Sequence, residues 1–219
     1  MAITPVLAAA LAGIPIGIQR QGVWAGRRQL FIRFAGPAET ATMYTSDALA
    51  REVQRGLSRS PLHSVYIAGR DALGNGEFLE AALRALATKT PVMADTDGQR
   101  PEAIAMLHPY LQMVQVTIDA PTTDATLERA LETLRSAARV GCAHAVAVCG
   151  TDEASDADYL RIVEQTHAAS GATAIVVHPG PAVERGSLDR RWSVLLEHAM
   201  THHPDVRVAV RLTGPATAR

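Results

Sequence analysis

Seven short apolar runs rich in β-branched residues, at 30–36, 64–69, 91–96, 113–119, 144–150, 173–179 and 206–212, alternate with six longer segments of helical period. A chain that alternates in this way has few options. Each run must pair edge to edge with its neighbours, and each helix must bury its apolar stripe on the sheet so formed. Most of the runs are continuously apolar and not strictly alternating, as expected of parallel strands covered by helices on at least one side. The helical period predicts helices over 46–57, 77–89, 101–107, 123–140, 155–170 and 187–203. Local chemistry agrees with those boundaries. Ser155 precedes Asp158 at capping-box spacing, Thr123 precedes Thr126, and Gly141 and Gly171 follow helix ends. In 123–140, Leu127, Ala130, Leu131, Leu134 and Ala138 form one stripe, with Glu128, Arg129, Glu132 and Arg135 outside it. The pattern predicts an α/β fold, one domain over 1–219, with a parallel sheet that is either doubly wound or an open, partial (β/α)6-type barrel. In either case the crossovers should be right-handed and a ligand should sit at the C-terminal ends of the strands.

Composition narrows the function. Lys and Arg number 21 against 22 Asp and Glu, so the chain lacks the basic footprint that a phosphate backbone requires. Aromatic residues at 4% leave too few rings for base stacking, and nucleic acid is not expected as a partner. Two cysteines, Cys142 and Cys149, cannot build a disulfide framework and suggest a cytoplasmic protein. Residues 2–19 carry no charge, but Pro5, Gly13, Pro15 and Gly17 interrupt them and the first basic residue is Arg20. That order suits neither a signal peptide nor a membrane span, and 1–18 is expected to be a buried, partly extended apolar segment leading into the soluble fold.

The strand ends carry a likeness. Residues 18–27, Ile-Gln-Arg-Gln-Gly-Val-Trp-Ala-Gly-Arg, followed by Phe31-Ile32-Arg33-Phe34-Ala35-Gly36, resemble the opening of 7-carboxy-7-deazaguanine synthase. That radical S-adenosylmethionine family reads Q-G-E-G-x-x-x-G-R and then F-[IV]-R-[FL]-x-G-C. Gly69-Arg70-Asp71 stands where the family has G-G-E, and Asp95-Thr96-Asp97-Gly98 where it has E-T-N-G. His178-Pro179 falls near its Q-P, and Thr213 near its closing His. The resemblance implies a radical-SAM-like partial barrel. It also implies lost chemistry, because the three cluster cysteines would fall on Pro37, Ala41 and Tyr44. None of these is a thiolate, so no [4Fe–4S] cluster and no S-adenosylmethionine are expected.

By the resemblance, Gln19 and Arg33 would line a pocket and Ser46 would stand on the hydroxyl side of a metal-holding pair, although no metal is expected here. Asp95, Asp97 and His178, at strand ends, complete the candidate ligand-binding set. Asp95, Asp97 and Asp119 with Arg70 and Arg100 could instead form a salt-bridge network. Gly74-Asn75-Gly76 before Glu77 reads as a turn more than an anion nest. His198, His202 and His203 read as an exposed helix end. Two functions follow as expectations. One is a non-catalytic, radical-SAM-like interaction or structural subunit, associating through the apolar residues of 5–18 or the stripe Trp192, Leu195, Leu196, Met200. The other is a small-molecule binder or enzyme that uses the barrel mouth for a purine- or deazapurine-like ligand.

Overall fold

The computed structural model describes residues 6–180 and 190–212; the predicted helix start at Ser187, and Thr213, lie outside them. In chain order the strands are β1 (Ala8–Gly13), β2 (Ile16–Ile18), β3 (Arg28–Phe34), β4 (Thr42–Thr45), β5 (Ser64–Gly69), β6 (Val92–Thr96), β7 (Met113–Ala120), β8 (Ala143–Gly150), β9 (Ala174–His178) and β10 (Val206–Val208). The helices are α1 (Ser46–Arg59), α2 (Gly76–Leu86), α3 (Ala103–Leu107), α4 (Asp124–Arg139), α5 (Asp156–Ala169) and α6 (Arg190–His202). One sheet contains all ten strands in the order β10-β9-β8-β7-β6-β5-β3-β1-β4, with β2 paired to β3. From β3 to β10 every pairing is parallel, while β1, β2 and β4 pair antiparallel.

Alternation along the strands assigns the two faces of this sheet. Leu30, Ile32, Val65, Ile67, Val92, Ala94 and Val114 pack with Leu49, Val53, Leu79, Leu83 and Ile104 of the first three helices. Val116, Ile118, Val146, Val148, Ile175 and Val177 pack with Leu127, Leu134, Tyr159, Ile162 and Leu195 of the last three. Val114, Val116 and Ile118 alternate along β7 and so share one side, which puts all six helices on the same face. The fold is therefore a singly wound, open α/β sheet of partial-barrel form, and the doubly wound alternative is excluded. Each fully buried Leu, Ile or Val on the helix-covered face stabilises by roughly 1.5–3 kcal/mol, and this layer accounts for most of the core.

Both predicted N-caps form: Thr123 accepts from the Thr126 amide, and Ser155 with Asp158 closes a capping box. Thr45, outside the sequence expectation, caps α1 by accepting from the Ala48 amide, whereas α5 ends at an extended Ser170 and Gly171 takes no left-handed cap. Gly141 takes the left-handed backbone (φ 72°) that ends α4. The N-terminal segment is extended as expected, but its apolar side chains are used within the molecule. Leu11 is buried, and Leu7, Ile14 and Ile16 pack on the core. Of the large apolar side chains described there, Val6 and Ile18 are exposed, so less apolar surface is left over than the sequence suggests. Trp192 and Leu195 are likewise core, with Met200 exposed.

Three expectations need correction. The strand β4 was not foreseen, and β10 ends at Val208 where the sequence suggested 212. His203 is not on an exposed helix end. It is buried, its Nε2 donates to the Thr173 carbonyl (2.6 Å), and its Nδ1 faces His167 Nδ1 (3.0 Å). Among the described residues no helix is long and apolar enough to cross a membrane.

Candidate ligand-binding site

The face of the sheet opposite the helices is covered by a strap, residues 19–27, between β2 and β3. Its entry and exit are joined by main-chain bonds from the Gln19 amide to the Arg27 carbonyl (3.0 Å) and from the Gly26 amide to the Gln19 carbonyl (2.9 Å). Gly22 and Gly26 make the reversal possible, with φ of 79° and 82°. The strap then bonds to three different strands. The Gly22 amide donates to His178 Nε2 on β9 (2.8 Å), the Val23 amide to Gln115 Oε1 on β7 (3.1 Å), and Cys149 Sγ on β8 donates to Gln21 Oε1 (3.5 Å). Strands two apart in a flat sheet stand about 10 Å apart, yet side chains from β7 and β9 reach consecutive amides. That convergence makes this face concave. A Cβ at Gly22 would run into the Gln115 carboxamide, so the close approach requires glycine.

Beneath the strap lie Phe31, Tyr66 and Met93, with Val23 and Trp24 packed on them. Tyr66 hydroxyl donates to Asp95 Oδ2, and Thr117 hydroxyl donates to Asp95 Oδ1 (2.8 Å). Asp95 is half-buried on the concave face, beside Tyr66. Burial raises its carboxyl above the ordinary value; the bonds from Tyr66 and Thr117 act against that, and Gln115 favours the charge from beyond good hydrogen-bond geometry. Burial, then the neighbouring Asp95 charge, push Tyr66 well above the usual phenol range. Among the described residues no cation pairs with Asp95.

Next to Tyr66, a cavity of 190 Å³ opens between the strap and the sheet, lined by Ile18, Gln19, Arg20, Gln21, Phe31 and Tyr66. Gln19 is 2% exposed. Its Nε2 donates to the Gln21 carbonyl (2.7 Å), while its Oε1 is buried with no hydrogen-bond partner. Gln19 lines this small, aromatic-floored space with its unused carboxamide oxygen, and the partly desolvated Asp95 carboxylate lies one hydrogen bond behind it, through Tyr66. Both are acceptors. The space can hold about one ring, since sites for drug-sized ligands run to roughly 300–1,000 Å³.

The candidate residues separate into two groups. Gln19, Asp95 and His178 come together on the concave face. Arg33 shares that face by alternation but is exposed at its rim, paired to Glu39 (3.0 Å). Ser46 begins α1 beside Leu7, whose carbonyl accepts its amide (3.1 Å). Asp97 is exposed and bonds Gln99, and Arg100 pairs with Asp71 (2.9 Å). The expected network of Asp95, Asp97, Asp119, Arg70 and Arg100 is therefore not formed. Gly74 and Asn75 lie in a 3-10 turn that runs into α2. Sequence reasoning missed Tyr66, Phe31, Gln115 and Thr117. Their signal is available only in hindsight of register, since each stands at a concave position of a run that reads as uniformly buried.

The site thus belongs to an open, parallel α/β sheet with a strapped concave face, a class of architecture and not yet a family. No protein-family model matches the chain, and no curated protein matches it. Among solved structures it is similar to the 3-dehydroquinate dehydratase from Enterococcus faecalis, at 12% identity and a TM-score of 0.43, over 93% of this chain and 83% of that one. The expected resemblance to the 7-carboxy-7-deazaguanine synthase family is corrected: no family model supports it, and the solved structure to which the chain is similar is a dehydratase. The local geometry is in keeping with the correction. Pro37 lies in an exposed turn, Ala41 is exposed ahead of β4, and Tyr44 sits on β4 opposite Ala9, packed on the helix-side core. The Gln19–Gly26 likeness marks the strap's turn chemistry.

Proposed function

We propose that this chain binds a small, flat ligand bearing hydrogen-bond-donating or cationic nitrogen, such as an amidine or an amino-substituted heterocycle, in the cavity between strap and sheet. The observation that carries this reading is Asp95, a half-buried carboxylate directly behind the cavity-lining Tyr66, oriented by two hydroxyls and, among the described residues, paired with no cation. Burial works against its charge, so a ligand that donates to it supplies what the protein withholds. Gln19 Oε1 offers a second acceptor, and Phe31 and Tyr66 provide the apolar floor for a ring.

Calorimetric titration of the full chain with benzamidine, 2-aminopyridine, benzoate and cyclohexane carboxylate tests the reading. The two nitrogen bases should bind and the two acids should not. A hydrogen bond to a charged group contributes about 1.5–3 kcal/mol, so Asp95→Asn should weaken binding by roughly ten- to a hundredfold. Binding of the acids in preference, or affinity indifferent to Asp95→Asn, would overturn it.

A further inference from the structure

His178 is the one titratable ring among the strap's anchors, and its hydrogen bonds fix its protonation state. A backbone amide can only donate, so Nε2, which faces the Gly22 amide at 2.8 Å, must be the bare nitrogen. Nδ1 then carries the proton and donates to the Ala209 carbonyl at 2.7 Å. The ring is wholly buried, and the latch needs it neutral. A proton on Nε2 would set N–H against N–H and abolish the bond to Gly22. We propose that residues 19–27 are an acid-released strap, latched over the concave face by neutral His178 and freed when that imidazole is protonated.

The surroundings of the ring favour release over accommodation. The groups that face it are Cys149, its register partner on β8, Gln21 and Gly22 from the strap, and Ala209 and Arg211 beyond β10. No carboxylate is among them, and Arg211 opposes a second positive charge. Burial, and then Arg211, lower the ring's pKa below its ordinary 6.5, against the Ala209 bond that raises it. The sign follows. The closed form binds fewer protons than the released one, so closure is most secure above 6.5 and weakens as pH falls through that value. Leu212 adds a main-chain bond to the Arg20 carbonyl (3.1 Å), so release also loosens the strap's hold on Leu212. A second imidazole, His63, meets Trp24 of the strap edge-on at 4.9 Å between ring centres and lies near Arg27. It makes no bond to the strap's backbone and should not control it. The latch does not depend on what the cavity holds.

Hydrogen exchange by mass spectrometry at pH 8 and pH 5, corrected for intrinsic exchange and run on the full chain, reads the latch directly. In the wild type the protection of 19–27 should fall at least tenfold on acidification while β7 and α4 keep theirs. His178→Gln should erase that pH dependence, and His63→Gln should retain it. The wild-type His178 ring, followed by NMR, should titrate with the same midpoint as strap exchange, a measurement that needs no variant. The proposal is overturned if the pH dependence survives His178→Gln or vanishes in His63→Gln. It also fails if ring and strap midpoints differ, or if the whole sheet loses protection together.

Discussion

The two faces of this sheet are built from the same strands and do opposite things. On the helix-covered face the strand residues are mostly Val, Ile, Leu and Ala, and six helices cover it. On the concave face the residues one step away include Gln29, Ser64, Tyr66, Asp95, Gln115, Thr117, Cys149 and His178, met by a nine-residue strap and a cavity. The comparison separates stability from recognition. The first face is apolar and closely packed, so its energy scales with area. The second is polar and only partly satisfied. Gln19 Oε1, Gln29 Oε1 and Gln115 Nε2 all lack partners there, although buried polar groups are generally paired.

The comparison is broken most directly on the helix side. Leu127 is fully buried between α4 and the sheet, and Leu127→Ala should cost about 2–5 kcal/mol in denaturant unfolding. Ligand affinity, measured where the variant is still folded, should change little. If the variant lost affinity in proportion to stability, the two faces would not be separable. Tyr66→Phe attacks the other face with a smaller stability cost. It removes one of two hydroxyls that hold Asp95 and should cost about 1–3 kcal/mol at pH 8. The cost should shrink under acid conditions, where Asp95 is protonated and depends less on donors. A loss that is flat with pH would mean that only ring packing was disturbed.

How much of this was legible in the sequence follows from the same contrast. The seven parallel strands and six helices were readable because burial on the helix face writes continuous apolar runs and 3.6-residue stripes. Which residue of a run faces which way was not, since Val65-Tyr66-Ile67 and Ala94-Asp95-Thr96 give no period until register is known. The strand β4, Thr-Met-Tyr-Thr, is four residues long with its first two side chains exposed, and it exists because β1 supplies a partner. The strap has no period at all. Its Gln19, Gln21, Gly22 and Gly26 caught attention through a motif, whereas their physical role is to turn the chain and bond to β7, β8 and β9. Of the candidate residues at strand ends, where such sheets place ligands, Asp95 and His178 face the concave side, whereas Asp97 lies just beyond β6 and is exposed. Ser46 rests on the motif alone and begins α1.

The smallest effect is the most discriminating. Asp95→Asn removes the least favourable charge on the concave face while keeping the side chain's size and one acceptor oxygen. Burial raises the wild-type carboxyl above its ordinary 3.8, so the folded chain holds that proton more tightly than the unfolded chain does. For a raised acid, the associated stability is fully present below 3.8 and is lost as pH climbs through the folded value. The wild type therefore bears the penalty at neutral pH and the Asn variant does not. Relative to wild type, the variant should gain stability as pH rises from 4 to 8, read as the difference in unfolding free energy at each pH. Relative to wild type, its affinity for the nitrogen bases should fall over the same range, as the wild-type carboxyl gains its charge. A protein that keeps a destabilising carboxylate on its concave face retains it for what it binds, the usual exchange between stability and function. If the variant instead lost stability relative to wild type as pH rose, the Asp95 charge would be a structural asset. Tyr66, Thr117 and Gln115 would then be its complete set of partners, and the concave face would resemble the helix face in being built for stability.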